Sequence, residues 1–160
     1  MTTNNVPTYR AVLIGLGGIG GMRAATAAGS AETYGPMPQS HAEAYQRHPQ
    51  ANLTAVCDLR PEALEQFREN WKDVWPDLRT YTDAKQMLAE ESPDLVSVVT
   101  SDHAHANLVV DAAQTESVRA ILCEKPIATT LADADRMIEA TAEAGVLLSI
   151  EHTRRRGAQH

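Results

Sequence analysis

The sequence predicts an α/β fold, a doubly wound parallel sheet covered by helices on both faces, and three observations carry this expectation. Short apolar runs alternate with segments of helical periodicity along the whole chain, the pattern of repeated β-α-β units. A glycine-rich turn follows directly on the first apolar run. With 160 residues, 43% of them hydrophobic and 22% charged, the chain has the composition of one globular domain. A domain of about 150 residues buries roughly 70% of its unfolded surface and holds together without metal or disulfides.

The expected elements follow in chain order. Arg10 to Ile14 is the first strand, an uninterrupted apolar run suited to burial on both faces. Gly21 to Gln39 breaks the rhythm with small residues, Gly35-Pro36 and Pro38, and reads as an inserted loop. The helix due after the first strand therefore begins near Ser40 and runs through Ala44 and Tyr45 to about His48. Leu53 to Cys57 is the second strand. Pro61 to Asp73 opens with proline at a first helical position and repeats Leu64, Phe67, Arg68 and Trp71 at helical spacing, which makes it a crossover helix. Thr80-Tyr81-Thr82 is a stub of strand, and Asp83 to Glu90 a shorter helix. Leu95 to Thr100 is the next strand, followed by a helix from Ala104 to Gln114 with Leu108, Val109 and Ala112 on one side. Ala120 to Cys123 is a strand. Thr130 with Asp133 resembles a capping box, opening a helix that Gly145 closes before the last strand, Val146 to Ile150. The expected sheet order is 3-2-1-4-5-6, with right-handed crossovers.

Several function classes are excluded at this level. The longest nearly apolar stretches, Ala11 to Gly21 and Asp94 to Thr100, fall well short of the ~20 residues of a membrane span, so no membrane partner is expected. Residues 1–9 form a disordered leader, since Met1 to Pro7 lacks the basic start and apolar core of a signal peptide; the expected location is cytoplasmic. Cys57 and Cys123 sit inside apolar runs without CxxC or Cys/His spacing, which points to buried free thiols and no metal site. The net charge of -7 argues against a nucleic-acid partner, and the one basic run, Arg154-Arg155-Arg156, is too short to form a footprint for one.

Two segments carry chemistry. Ala11-Val12-Leu13-Ile14-Gly15-Leu16-Gly17-Gly18-Ile19-Gly20 places G-x-G-x-x-G at a strand end, where glycines permit a tight turn and bring backbone N–H groups up to a pyrophosphate, the Rossmann fingerprint. Its acidic partner, expected about 20 residues on at the tip of the second strand, is Asp58; the insertion accounts for the extra length. Asp58 is expected both to hold the adenosine ribose and to cap the following helix. The second segment is Glu124-Lys125-Pro126, just past the carboxyl end of a strand, the edge where open α/β sheets bind ligands. Lys125 there either holds a substrate hydroxyl and assists proton movement or is a solvated strand-end lysine paired with Glu124. The proline also opens the option of a cis Lys125-Pro126 bond.

These blocks, in this order, resemble the glucose-fructose oxidoreductase, inositol dehydrogenase and rhizopine-catabolism (Gfo/Idh/MocA) family of NAD(P)-dependent sugar and cyclitol dehydrogenases. The resemblance runs through Gly15 to Gly20, His41-Ala42-Glu43-Ala44-Tyr45, Leu53 to Asp58, Val98-Val99-Thr100-Ser101-Asp102-His103-Ala104-His105, Cys123 to Ala128, and His152-Thr153-Arg154-Arg155. It implies that Gly15, Gly17, Gly18, Ile19 and Gly20 line a pyrophosphate site and that Asp58 holds the adenosine ribose. It also implies that Lys125 is the active-site lysine, with Glu124 beside the nicotinamide ribose. Thr100 and Ser101 would lie under the nicotinamide, in a turn where relatives commonly carry Thr-Pro. His105 matches a family histidine near the cofactor, with a polar helix start the alternative for both His103 and His105, and Arg154 and Arg155 match an arginine-bearing strand exit toward the nicotinamide, with a solvated basic tail the alternative.

The implied cofactor is NAD, because Asp58 repels a 2′-phosphate; NADP is the alternative, because Arg60 stands two residues on to neutralise one. The implied substrate is a small sugar or cyclitol, with homo-oligomers expected in a full-length protein. Residues 10–153 would form the dinucleotide-binding domain and residues 154–160 a truncated exit toward a missing α+β substrate domain. Besides an oxidoreductase, the resemblance admits a dinucleotide-binding module or regulator without turnover, or a redox-cycle hydrolase or lyase. The insertion, Gly21 to Gln39, either orders over bound cofactor or substrate or is a plain surface excursion.

Overall fold

The computed structural model describes residues 8–23 and 38–152. Six strands, β1 (Tyr9–Ile14), β2 (Ala51–Cys57), β3 (Arg79–Tyr81), β4 (Leu95–Val98), β5 (Ala120–Glu124) and β6 (Leu147–Glu151), form one sheet in the order β3-β2-β1-β4-β5-β6. Every neighbouring pair is parallel. The order reverses direction between β1 and β4, which makes the carboxyl end of that pair the topological switch point and opens a crevice there.

The central strand explains its own sequence. Ala11 to Ile14 is buried throughout because both faces of the sheet are covered. Val12 and Ile14 pack with Ala55, Val96, Val98 and Ile121 into one core, and Ala11 and Leu13 pack with Leu53 and Val56 into the other. The second core is closed by α2 (His41–Arg47) and α3 (Pro61–Trp71), through Ala42, Leu64, Phe67 and Trp71. The first is closed by α4 (Ala84–Glu91), α5 (His105–Ala113) and α6 (Leu131–Ala144), through Met87, Val109 and Met137. Local signals set the helix ends. Pro61 is the first residue of α3, Asp83 caps α4 by accepting from the N–H groups of Lys85 and Gln86, and Thr130 Oγ1 accepts from Asp133 N at 3.1 Å. Gly145 ends α6 in the left-handed conformation, φ +67°.

Differences from the sequence expectation are confined to element ends, with one exception. The β2 strand begins two residues early, at Ala51, and β4 ends at Val98, after which the chain turns into a 3₁₀ segment at Asp102–Ala104. The α3 helix stops at Trp71 rather than Asp73. The exception is a single helical turn, α1 (Gly18–Gly21), which the glycine loop opens before the insertion starts.

Both ends of that insertion are fastened at one place. Trp71 Nε1 donates to Gly21 O at 2.9 Å, Arg23 pairs with Asp73 at 2.5 and 2.8 Å and lies 5.0 Å over the Trp71 ring, and Ser40 Oγ donates to Met22 O at 2.6 Å. The chain therefore re-enters α2 beside the point where it left α1, and a long excursion leaves the glycine turn in register. Residues 24–37, on which the expected ordering over a ligand falls, lie outside the described residues, as do residues 1–7 of the leader expected over 1–9 and the exit beyond His152, with Arg154 and Arg155; Tyr9, expected in that leader, instead opens β1. Among the described residues no helix is long and apolar enough to cross a membrane, and no group of three His, Cys, Asp or Glu is placed to hold a metal. Burial pushes the thiols of Cys57 and Cys123 up to about 12, so both are inert at neutral pH.

Candidate functional site

Because the strands are parallel, the exits of β1, β2, β4 and β5 all open on one edge, and the expected site residues stand on those four exits. At the β1 exit, Gly15 adopts φ +95° and donates its N–H to Cys57 O at 2.8 Å. A Cβ on Gly15 would stand 2.3 Å from Val99 O, and one on Gly20 would stand 2.2 Å from Gly15 O, so these two glycines are demanded by backbone against backbone. Gly17 and Gly18 differ: a Cβ on either meets nothing within 4 Å. Their bare backbone faces open space at the start of α1, where the N–H groups of Gly18 and Ile19 have no acceptor within the helix. Such a surface fits a pyrophosphate approaching the main chain.

Asp58, at the β2 exit, reaches back to this turn. Its Oδ2 accepts from Leu16 N at 2.9 Å, and its Oδ1 accepts from Arg60 N at 3.0 Å and Arg60 Nε at 3.2 Å. The expected capping role is corrected here: the cap position of α3 is Arg60, and Asp58 instead ties the second strand exit to the glycine loop. Burial alone would raise the Asp58 carboxyl, but the N–H groups of Leu16 and Arg60 and the Arg60 guanidinium outweigh it and hold the group below its ordinary value. A depressed folded-state value stabilises the fold above the unfolded value of about 3.9, and that contribution is lost as pH falls through the folded value. Asp58→Asn should therefore cost about 1 kcal/mol at pH 7 and progressively less as the pH falls below about 4, measured by urea denaturation at each pH.

The β5 exit holds the second segment. The Lys125-Pro126 peptide is cis. The Glu124 side chain is 7% exposed, and its two oxygens are both engaged. Oε1 lies 3.1 Å from His41 Nε2, and Oε2 accepts from the main-chain N–H of Lys125 at 3.2 Å. Glu124 thus spends its carboxylate on a histidine and on backbone rather than on the Lys125 side chain, and Lys125 itself is exposed at the edge. From His41 the contacts continue inward: Nδ1 lies 3.3 Å from Ser97 Oγ, which lies 2.7 Å from Tyr45 Oη. Burial pushes the Tyr45 phenol up, so it stays protonated and able to donate.

His105 holds the other side of this exit. Its ring is buried, with Nδ1 2.9 Å from Pro126 O and Nε2 3.1 Å from Thr100 O. Each ring nitrogen faces a protein carbonyl, and a neutral ring donates to one of the two, so His105 lies between the β4 and β5 exits. Thr100 and Ser101 form the β4 exit itself, with Ser101 exposed and its Oγ 3.4 Å from His103 Nε2. The sequence reading missed the parts played by His41, Tyr45 and Ser97. Their signal was present as polar residues at positions the pattern assigns to the core: Ser97 interrupts Leu95-Val96-Ser97-Val98-Val99, and His41 and Tyr45 share a helix face.

Comparison with known proteins agrees with this geometry. The profile of an oxidoreductase family with an NAD-binding Rossmann fold, Gfo/Idh/MocA, matches residues 9–152. A myo-inositol 2-dehydrogenase of Thermotoga maritima is 33% identical over 115 residues, 72% of this chain and 33% of that protein. A D-apiose dehydrogenase of Paraburkholderia graminis is 36% identical over 112 residues, 70% of this chain and 28% of that protein. Among solved structures, the WlbA dehydrogenase of Bordetella pertussis in complex with NADH and UDP-GlcNAcA superposes with a TM-score of 0.72 at 28% identity, covering 94% of this chain and 39% of that one. The chain spans about a third of the length of these relatives. With the family profile matched across the whole described sheet, from the start of β1 to the end of β6, this chain belongs to the Gfo/Idh/MocA oxidoreductase family, in its NAD-binding Rossmann fold.

Proposed function

We propose that residues 10–153 are the dinucleotide-binding domain of a longer NAD-dependent dehydrogenase that oxidises a hydroxyl of a sugar or cyclitol, with residues 154–160 leading toward the substrate domain. The observation that carries this reading is the spacing of the edge. Lys125 stands two strands from the open glycine turn in the order β1-β4-β5, about 10 Å at the usual strand separation, with Thr100 and Ser101 between them. Gly17, Gly18 and Ile19 would hold the pyrophosphate of a dinucleotide, and the β4 and β5 exits, where Lys125 would meet the substrate, would take its reactive ring. A bound nicotinamide would supply the acceptor for the hydride leaving the carbinol carbon. Lys125 Nζ, as the free amine, accepts the hydroxyl's hydrogen bond and takes up its proton as the carbonyl forms. Glu124 holds the main chain of Lys125, and His105 holds Pro126 and Thr100, so both act on the cofactor end indirectly.

Asp58 sets the choice of dinucleotide in this reading. Its carboxylate accepts hydrogen bonds from an unphosphorylated ribose and repels a 2′-phosphate, while Arg60 is already committed to Asp58. Calorimetric titration is expected to give NAD a dissociation constant at least about tenfold below that of NADP, a difference of roughly 1.4 kcal/mol. Equal or reversed affinities would overturn the assignment of Asp58. Absence of binding by either dinucleotide would overturn the domain reading.

A further inference from the structure

We propose that His41 is a positioning residue for Lys125: by holding the Glu124 carboxylate inside the layer beneath α2, it fixes the main chain at the β5 exit and thereby the lysine that follows. The proposal deepens the reading of Lys125 given above and rests on it.

The contacts have one consistent direction. An ionised Glu124 only accepts, so His41 Nε2–H donates to Oε1 at 3.1 Å; Nδ1 then accepts from the Ser97 hydroxyl, and Ser97 accepts from Tyr45. Every member is satisfied, and no buried side-chain nitrogen or oxygen among the described residues lacks a partner. An apolar side chain at position 41 would pack against this core at no desolvation cost, whereas a buried polar chain gives geometric specificity.

What is specified is the Lys125 backbone. Strand pairing of β5 ends at Glu124 opposite Glu151, and Pro126 has no N–H. The Lys125 N–H is therefore the one main-chain donor between the last paired residue and Ile127. Its acceptor is the second oxygen of the carboxylate that His41 holds. Released from His41, Glu124 has every reason to swing toward solvent, and that donor loses its acceptor.

The test is amide hydrogen exchange by NMR on the protein without dinucleotide. His41→Leu should speed exchange of the Lys125 amide by about tenfold or more while the amides of Val98 and Leu122 stay within about twofold. His41→Gln, which can still donate to Glu124, should restore protection to within about threefold. Should the leucine variant not fold, His41→Asn, polar but too short to reach Glu124, should give the same selective rise. Unchanged Lys125 exchange, a uniform rise across Val98, Leu122 and Lys125, or equal impairment in His41→Leu and His41→Gln would each overturn the proposal. In the complete enzyme His41→Leu should lower kcat by about tenfold with the dinucleotide Kd within about threefold, the split expected of a group acting through Lys125. Because the exchange measurement needs no turnover, it fails independently of the role assigned to Lys125, which the lysine's own substitution tests.

Discussion

Gly15→Ala should destabilise this domain by about 3–5 kcal/mol, enough to remove much of the 5–15 kcal/mol typical of a domain this size. Two costs add at this residue. Its φ of +95° is one that a Cβ disfavours, and the new methyl would stand 2.3 Å from Val99 O and 2.6 Å from the Val99 carbonyl carbon. Relief by movement is blocked, because Val99 N is itself bonded to Ile14 O at 2.8 Å and Gly15 N to Cys57 O at 2.8 Å, so the turn is pinned to both flanking strands. Gly20→Ala should behave similarly, its methyl meeting Gly15 O at 2.2 Å. Gly18→Ala provides the contrast. It lies in α1 with nothing within 4 Å of its Cβ, so stability should stay within about 0.5 kcal/mol while dinucleotide affinity falls about tenfold from the methyl filling the pyrophosphate surface. Urea denaturation and calorimetric titration of the three variants check this, and a Gly15→Ala protein as stable as the parent would show that the turn relaxes after all.

That contrast marks what the sequence made legible. The fingerprint announced a glycine turn and its strand-end setting, since glycine spacing and an apolar run are local signals. It could not separate Gly15 and Gly20, whose Cβ would meet backbone, from Gly17 and Gly18, which face open space, because that distinction depends on the folded turn, where Gly15 meets Val99 O across the sheet and Gly20 meets Gly15 O. Strand order was legible for a related reason: a buried parallel sheet demands continuous apolar runs, and each run had a helix to return it.

What escaped the sequence was pairing at long range. His41 meets Glu124 across 83 positions and Ser97 across 56, and neither residue carries a mark of its partner. The same holds for His105, whose ring nitrogens face the carbonyls of Thr100 and Pro126. A family resemblance places such a residue near the right chemistry, but its hydrogen-bond partners decide whether it touches the ligand or holds the loops that do. The shift of the helix cap from Asp58 to Arg60 is a smaller case. Asp58 satisfies Leu16 N, 42 residues away, in preference to the helix beside it.

Lys125→Met should abolish turnover of the complete enzyme, lowering kcat by about 10³-fold, or roughly 4 kcal/mol of transition-state stabilisation. Methionine keeps the length and the apolar stem of lysine but can neither hydrogen-bond a hydroxyl nor take up its proton. The fold should not register the change. Lys125 is exposed, its carboxylate neighbour is committed to His41 and to the Lys125 main-chain N–H, and methionine supplies the same N–H. The thermal midpoint should thus move by no more than a degree or two, and the NAD dissociation constant by less than about threefold, since the proposed dinucleotide anchors, Gly17, Gly18 and Asp58, lie two and three strands away. Removing a proton acceptor that acts only in the transition state should lower kcat and kcat/KM together and leave substrate KM little changed. Turnover at the parent rate would make Lys125 incidental, and loss of the cooperative thermal transition would make it structural. In either case the catalytic reading fails, while the glycine turn and Asp58 still stand as a dinucleotide site.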